Sequence, residues 1–335
     1  MTRNLFSMTS IGMILMLLLA GCTGPVGQQG PAGPAGPVGA VGPAGADSQV
    51  TCKDCHNDTD LITGMRTAWE GSLHGSGTTT AYAGSRVIPG TGGCNGCHSG
   101  GGFSERIAGN VPIKDIAKAN PNPSRIDCRA CHQIHTSYTK TDWALETIAD
   151  VNLDALDAKY SGGMGNLCAN CHQPINAFPR AENGIVKVTS THWGAHHGPV
   201  AAMLLGIGGG SGLTGEPSLH LKQTKDSCVS CHMGEGKLHS FTPAVANCTG
   251  CHPDATSLDI GGVQTNTAKK LEEVKAALTR KGLLDSKGVM VVGDYPEAQA
   301  AALWNYLMVE EDKSLGVHNA SYANMLLDAA LEGLK

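Results

Sequence analysis

Cys168-Ala169-Asn170-Cys171-His172 decides how this chain is to be read, because the same Cys-x-x-Cys-His pattern returns at Cys52–His56, Cys94–His98, Cys128–His132, Cys228–His232 and Cys248–His252. Two thiols three positions apart can reach the two vinyl groups on one edge of a porphyrin. The adjacent imidazole then reaches the iron, so each pentad predicts a covalent c-type haem site. Six copies in 335 residues are beyond chance. The predicted thioether cysteines are Cys52, Cys55, Cys94, Cys97, Cys128, Cys131, Cys168, Cys171, Cys228, Cys231, Cys248 and Cys251. The predicted proximal ligands are His56, His98, His132, His172, His232 and His252, and the cofactor set is six haem c.

Rival readings of the same residues fail on number. Of thirteen cysteines, twelve sit in the pentads and the thirteenth, Cys22, belongs to a processing signal, so no thiol is left for a disulfide framework. Zinc ribbons take four ligands per ion and have no use for a His after every second Cys. A thioredoxin-like redox motif normally occurs once, on a strand-to-helix turn.

The histidine count bears on coordination. Fourteen are present and six are spent as proximal ligands, leaving eight for six distal positions. His74, His135, His220, His239, His197 and His318 are the distal candidates, with His196 and His192 as alternates. Every iron can then be bis-His, six-coordinate and low-spin, which suits electron transfer and leaves no open place for a substrate. His135 lies three residues past His132, too close to cross the porphyrin plane of its own motif, so it is expected to cap a neighbouring haem. Adjacent His196 and His197 point different ways, and one of them is expected to ligate. Met164, Met203 and Met233 are possible distal ligands that would raise the potential, but the surplus of histidine makes them unnecessary.

The N-terminal residues speak to compartment. Arg3 followed by the apolar run Ile11 to Leu19 has the form of an export signal, assigned to residues 1–21 and too short for a confident spanning helix. The run ends in Leu19-Ala20-Gly21-Cys22, which resembles a bacterial lipobox, so Cys22 is expected to become a lipidated N-terminus. Thr23, rather than Asp, fits sorting to the outer membrane, where the acyl chains would be a durable tether. Within residues 22–47, glycine recurs at every third position from Gly24 to Gly45, with Pro25, Pro31, Pro34, Pro37 and Pro43 after it. This Gly-X-Y pattern is collagen-like: it reads as a homotrimerising strand or as an extended spacer of about 3.1 Å per residue.

Residues 48–262 carry all six motifs and 263–335 carry none. So little chain per cofactor cannot build an ordinary apolar core, and aromatic content is only 4% against 45 glycines. The expected fold class is therefore mostly irregular and α, with short helices and long loops around stacked haems that supply buried apolar surface themselves. Gly92-Gly93, Gly100-Gly101-Gly102, Gly162-Gly163 and Gly208-Gly209-Gly210 suit loops passing tightly over cofactors. In 263–335, the spacing predicts amphipathic helices over Thr267 to Leu283, from Pro296 through Met308, and from an Asn319 cap through Leu334, packing on the haem domain as a lid or support. Gly288 to Val292 reads as a short strand.

The six pentads, with Thr191 to Leu205, the Lys237-Leu238-His239-Ser240-Phe241-Thr242-Pro243 segment and Asp312 to Leu327, resemble the multihaem c-type cytochromes of dissimilatory metal-reducing bacteria. The resemblance covers roughly Val50 to the end. It implies bis-His haems in a chain that passes respiratory electrons outward, with other cytochromes or an outer-membrane conduit as partners and Fe(III) oxides among the extracellular acceptors. The collagen-like leader departs from that pattern and leaves open a cell-surface, trimeric or periplasm-facing placement. The alternative is a multihaem reductase, of nitrite, tetrathionate or hydroxylamine type, with one open iron. Such an enzyme is expected to carry Lys in place of one ligating His, and none of the six motifs does. An electron carrier is favoured over an enzyme. A formal charge of −5, made more negative by haem propionates, argues against nucleic acid as a partner.

Overall fold

The computed structural model describes His56 and residues 59–77, 87–88, 92–115, 123–234 and 239–335. The export signal, Cys22, the Gly-X-Y segment and the first motif's Cys52 and Cys55 lie outside these residues. The architecture is one of short helices, long loops and three two-stranded antiparallel sheets, in keeping with the expected fold class. Among the described residues no helix is long and apolar enough to cross a membrane.

Around the motifs, regular structure is brief. The pentads supply single helical turns at Asn95–His98, Cys128–Cys131, Asn166–Ala169 and Cys228–His232. Between them lie α1 (Asp60–Glu70), α2 (Gly100–Ala108) and α3 (Val200–Leu205). Strands β1 (Val87–Ile88) and β2 (Gly92–Gly93) pair, as do β3 (Val151–Leu153) and β4 (Ala158–Tyr160). The second hairpin turns Val151, Leu153 and Tyr160 inward against Ala169, Ala201 and Leu204, the period-two pattern of a half-buried strand.

Two of the glycine clusters lie where backbone passes close to backbone. Gly100-Gly101-Gly102 opens α2, where Ser99 is the N-cap and its hydroxyl accepts from the Gly102 amide. A Cβ on Gly100 would meet the Arg125 carbonyl oxygen at 2.5 Å, so the helix start is pressed against backbone. Gly210 similarly lies where a Cβ would meet the Ala301 Cα at 2.7 Å.

The principal core is built by the last third of the chain. Strand β5 (Ile185–Val188) pairs antiparallel with β6 (Gly293–Pro296), and α4 (Val263–Arg280), α5 (Glu297–Asp312) and α6 (Ala320–Gly333) pack with them. Helix α4 buries Leu271, Val274 and Leu278 on one stripe, the spacing the sequence shows. It starts earlier than Thr267 because the Asp259 carboxylate accepts from the amides of Gln264 and Thr265. Helix α6 is capped by Asn319, whose side-chain oxygen accepts from the Tyr322 amide while its NH2 donates to the Met203 and Glu216 carbonyls.

One expectation for this region changes. Helix α5 is not an amphipathic lid: Ala300 through Val309 are all buried, so it is a central helix wrapped on every side. Small Ala300, Ala301 and Ala302 permit that close approach. The hairpin arm expected at Gly288 to Val292 is present as a single antiparallel bridge, Leu284 to Met290, around a turn that the Asp285 carboxylate holds, and the longer strand follows at Gly293–Pro296, paired with the distant β5.

Aromatic contacts tie α5 to the motif region. Trp304 packs edge-on to Trp193 at 5.1 Å and to Phe178 at 5.6 Å, and its indole N–H donates to the Gly208 carbonyl at 2.8 Å. Trp304→Ala should cost about 3–5 kcal/mol through the cavity and the orphaned carbonyl. Guanidinium unfolding of the haem-loaded protein followed by far-ultraviolet circular dichroism measures it.

Candidate haem-binding sites

Each predicted proximal histidine faces one other histidine. Ring centroids stand 6.0 Å apart for His56 and His135, 6.1 Å for His74 and His172, and 6.1 Å for His98 and His196. They stand 6.2 Å apart for His132 and His239, 6.2 Å for His232 and His318, and 6.4 Å for His220 and His252. Two imidazoles on opposite axial positions of one iron, with metal–nitrogen bonds of about 2.0 Å, place their centroids about 6.3 Å apart. The spacing therefore fits a bis-His iron in all six cases.

His135 stands opposite His56 and not at its own motif. The adjacent pair exchanges places relative to expectation: His196, the alternate, faces His98, whereas His197 turns outward and meets the Glu311 carboxylate at 2.7 Å. The physical reason is local backbone. His196 sits at φ 86° between Gly194 and Gly198, which sends the two neighbouring side chains in different directions. His192 is exposed on the surface, and Met203 is sealed in the apolar core.

Distinct elements aim each ring. Ser72 caps the turn Leu73–Ser76 that carries His74, and this turn is tied to the third motif's approach by Trp69 Nε1 donating to the Ile126 carbonyl and Arg125 to the Gly75 carbonyl. His135 has φ 66°, an uncommon backbone state for a residue with a side chain. The Asp142 carboxylate holds it there by accepting from the amides of His135, Ser137 and Tyr138 at 2.8, 2.8 and 3.0 Å. Tyr138 stacks on the His135 ring at 5.4 Å.

Four of these imidazoles have Nδ1 committed. Nδ1–H of His132 donates to the Trp143 carbonyl at 2.7 Å, that of His232 to Phe241 at 2.9 Å and that of His220 to Val317 at 2.8 Å. In His318 it meets Asp312 Oδ1 at 2.7 Å. A donated Nδ1–H fixes the tautomer and leaves Nε2 with the lone pair a metal needs. Burial pushes His172 down to about 4, helped by the imidazoles of His74, His232, His318 and His98. Burial likewise pushes His196 down to about 4, so both rings are neutral at pH 7, the ligating form. For His318 burial acts downward, but the Asp312 carboxylate outweighs it and raises the group overall.

The cysteines bring the motifs together. The thiols of Cys97 and Cys171 lie next to one another, as do those of Cys168 and Cys228, so the fourth motif adjoins the second through one thiol and the fifth through the other. Cys231 lies close enough to Cys248 and Cys251 to feel their charge. Arg106 bridges the second and fourth motifs: it is buried, donates to the Asn170 carbonyl at 3.0 Å, and covers the Phe103 ring at 5.3 Å. Its Nε has no hydrogen-bond partner, and no described carboxylate pairs with it. A porphyrin propionate would balance that charge, which is a second sign that the residues fit haem.

Sequence reasoning passed over Asp142, Asp312, Arg106 and the Trp143 and Phe241 carbonyls. No spacing rule marks them, since each acts through a contact made only after folding.

No family model matches the chain, and no curated protein does. Among solved structures it is similar to the outer cell wall cytochrome OcwA, at 23% identity and TM-score 0.50, covering 80% of this chain and 50% of that one. It is also similar to the undecahaem cytochrome from the S-layer of Carboxydothermus ferrireducens, at 16% identity and TM-score 0.48, covering 79% of this chain and 40% of that one. The chain thus spans half or less of the length of these structures. The first likeness shows the fold, which this chain shares with that cytochrome.

Asp142→Ala should free the loop that presents His135. Hydrogen exchange should accelerate at the amides of His135, Ser137 and Tyr138, which lose their acceptor, while the amides of α5 keep their protection.

Proposed function

We propose that the chain is an electron-transfer protein carrying six covalently attached haems, each iron held by two imidazoles. The observation that carries this reading is the set of six opposed histidine pairs at 6.0–6.4 Å. His56 and His135 would hold the haem of Cys52 and Cys55, His98 and His196 that of Cys94 and Cys97, and His132 and His239 that of Cys128 and Cys131. His172 and His74 would hold the haem of Cys168 and Cys171, His232 and His318 that of Cys228 and Cys231, and His252 and His220 that of Cys248 and Cys251. Haem supplies a one-electron Fe(III)/Fe(II) couple when bound.

The chain's own part is positional. Two imidazoles per site leave no axial place for a substrate, and ligands already in place change little when the charge on iron changes, so little reorganisation opposes the electron. Cys97 lies next to Cys171, and Cys168 next to Cys228, a proximity that would make neighbouring attachment sites a connected array instead of isolated points. Buried Arg106 locks one such junction.

Export, lipidation at Cys22 and the Gly24–Gly45 spacer or trimer complete the reading. They would hold the protein at the outer membrane, where other cytochromes or a conduit deliver electrons and external acceptors such as Fe(III) oxides take them. This part rests on the sequence.

The purified protein should contain six haems per chain by pyridine haemochrome and intact mass, all low-spin, with no carbon monoxide adduct on reduction. A wild-type high-spin fraction that shifts with nitrite would instead support the reductase. His196→Ala should open one iron, visible as one high-spin haem in six that binds carbon monoxide. His197→Ala should leave all six low-spin.

A further inference from the structure

Asp312 closes α5, and His318 stands six residues on, in the loop that leads to α6. Between them, Lys313, Leu315 and Gly316 take φ values of 59°, 52° and 89°, which curl the loop so that the His318 ring returns to its own helix end. Nδ1–H of His318 then donates to Asp312 Oδ1 at 2.7 Å, and the other carboxylate oxygen accepts from the Ser314 hydroxyl. The Asp312 side chain has 0% exposure. No described Lys or Arg pairs with it, and its neighbour Lys313 is engaged with Glu310.

This arrangement differs from the partners seen at three other rings. His132, His220 and His232 donate Nδ1–H to neutral backbone carbonyls. A carboxylate draws the proton harder, gives the ring more imidazolate character and makes Nε2 a stronger donor to the metal. A stronger donor favours Fe(III) over Fe(II). Burial leaves the anionic charge poorly screened, so its field acts on the iron in the same direction.

We infer that Asp312 is a positioning residue that makes the site of His232 and His318 the lowest in reduction potential of the six. This rests on the proposed assignment of six bis-His haems. Cys228 of this motif lies next to Cys168 of the fourth, and the Cys231 carbonyl accepts from the side chain of Asn247, the residue before Cys248 of the sixth. A low potential here therefore divides the array, with electrons at equilibrium resting on either side of this site.

The test is a spectroelectrochemical titration of full-length, haem-loaded protein, with dithionite as reductant. In Asp312→Asn the lowest step should rise until, at its wild-type midpoint, the reduced-to-oxidised ratio is tenfold or more higher, which is 59 mV for one electron. The other five steps should change that ratio less than twofold, and Asp312→Glu should keep the wild-type order. A lowest step that stays put in Asp312→Asn, with six low-spin haems retained, overturns the inference. Should that variant fail to load, wild-type NMR decides: the haem methyls with cross-relaxation to the His318 ring should be the last to shift on reduction. Their shifting before any other haem's overturns the inference as well. A wild-type protein with fewer than six haems, or with a high-spin fraction, is a failure of the six-haem reading and not of the role of Asp312.

Discussion

Six pairs of imidazoles opposed at 6.0–6.4 Å are the constraint to which the rest of the described chain is fitted. Each pair joins residues well separated in sequence, as with His132 and His239 or His232 and His318. The chain must therefore fold back on itself at every site. That demand explains why the described elements between the motifs are short, none of them longer than the 11 residues of α1: a long helix would carry one ring of a pair away from the other. It also explains why many ligands sit in loops whose conformation is set by side chains and not by ladder hydrogen bonds. Asp142 does this for His135, and Gly194 and Gly198 do it for His196.

Local order is thereby exchanged for global order, and a chain made only of such turns would bury little apolar surface. The core of α4, α5, α6, β5 and β6 supplies that burial. Helix α5 is its centre, and the same helix leads directly to the site region: Asp312 at its end meets His318, and Glu311 meets His197. Trp304 in its middle reaches Trp193, three residues before His196. The conventional core and the ligand geometry are consequently one mechanical unit. Loss of packing around Trp304 would be felt at His196 before it was felt at the distant first motif.

Much of this was legible in the residues. The pentads point to attachment sites because their chemistry is local: thiols and imidazole within five consecutive residues can reach one cofactor edge and one iron. The surplus of histidine allows a second ring opposite each motif histidine, a count against a fixed need, and the rings do stand so opposed. Helix α4 and the Asn319 cap of α6 show in spacing alone. Helix α5 was legible as a helix but not as the centre, since periodicity reports how many faces are apolar only when polar residues mark the others. The hairpin arm at residue 290 shows in the sequence, but strand Gly293–Pro296 does not, because its partner, Ile185–Val188, is more than a hundred residues away.

By itself, the sequence determined that the chain carries six Cys-x-x-Cys-His motifs, that their chemistry is that of haem c, and that eight histidines stand outside them. Tertiary structure alone decided which histidine stands opposite which, that His196 and not His197 turns inward, which thiols touch, and that one ring rests on a buried carboxylate. The physical reason is range. A covalent motif is specified by neighbours along the chain, whereas an axial pair, a thiol contact and a buried charge are specified by neighbours in space, and those exist only once the whole fold has closed.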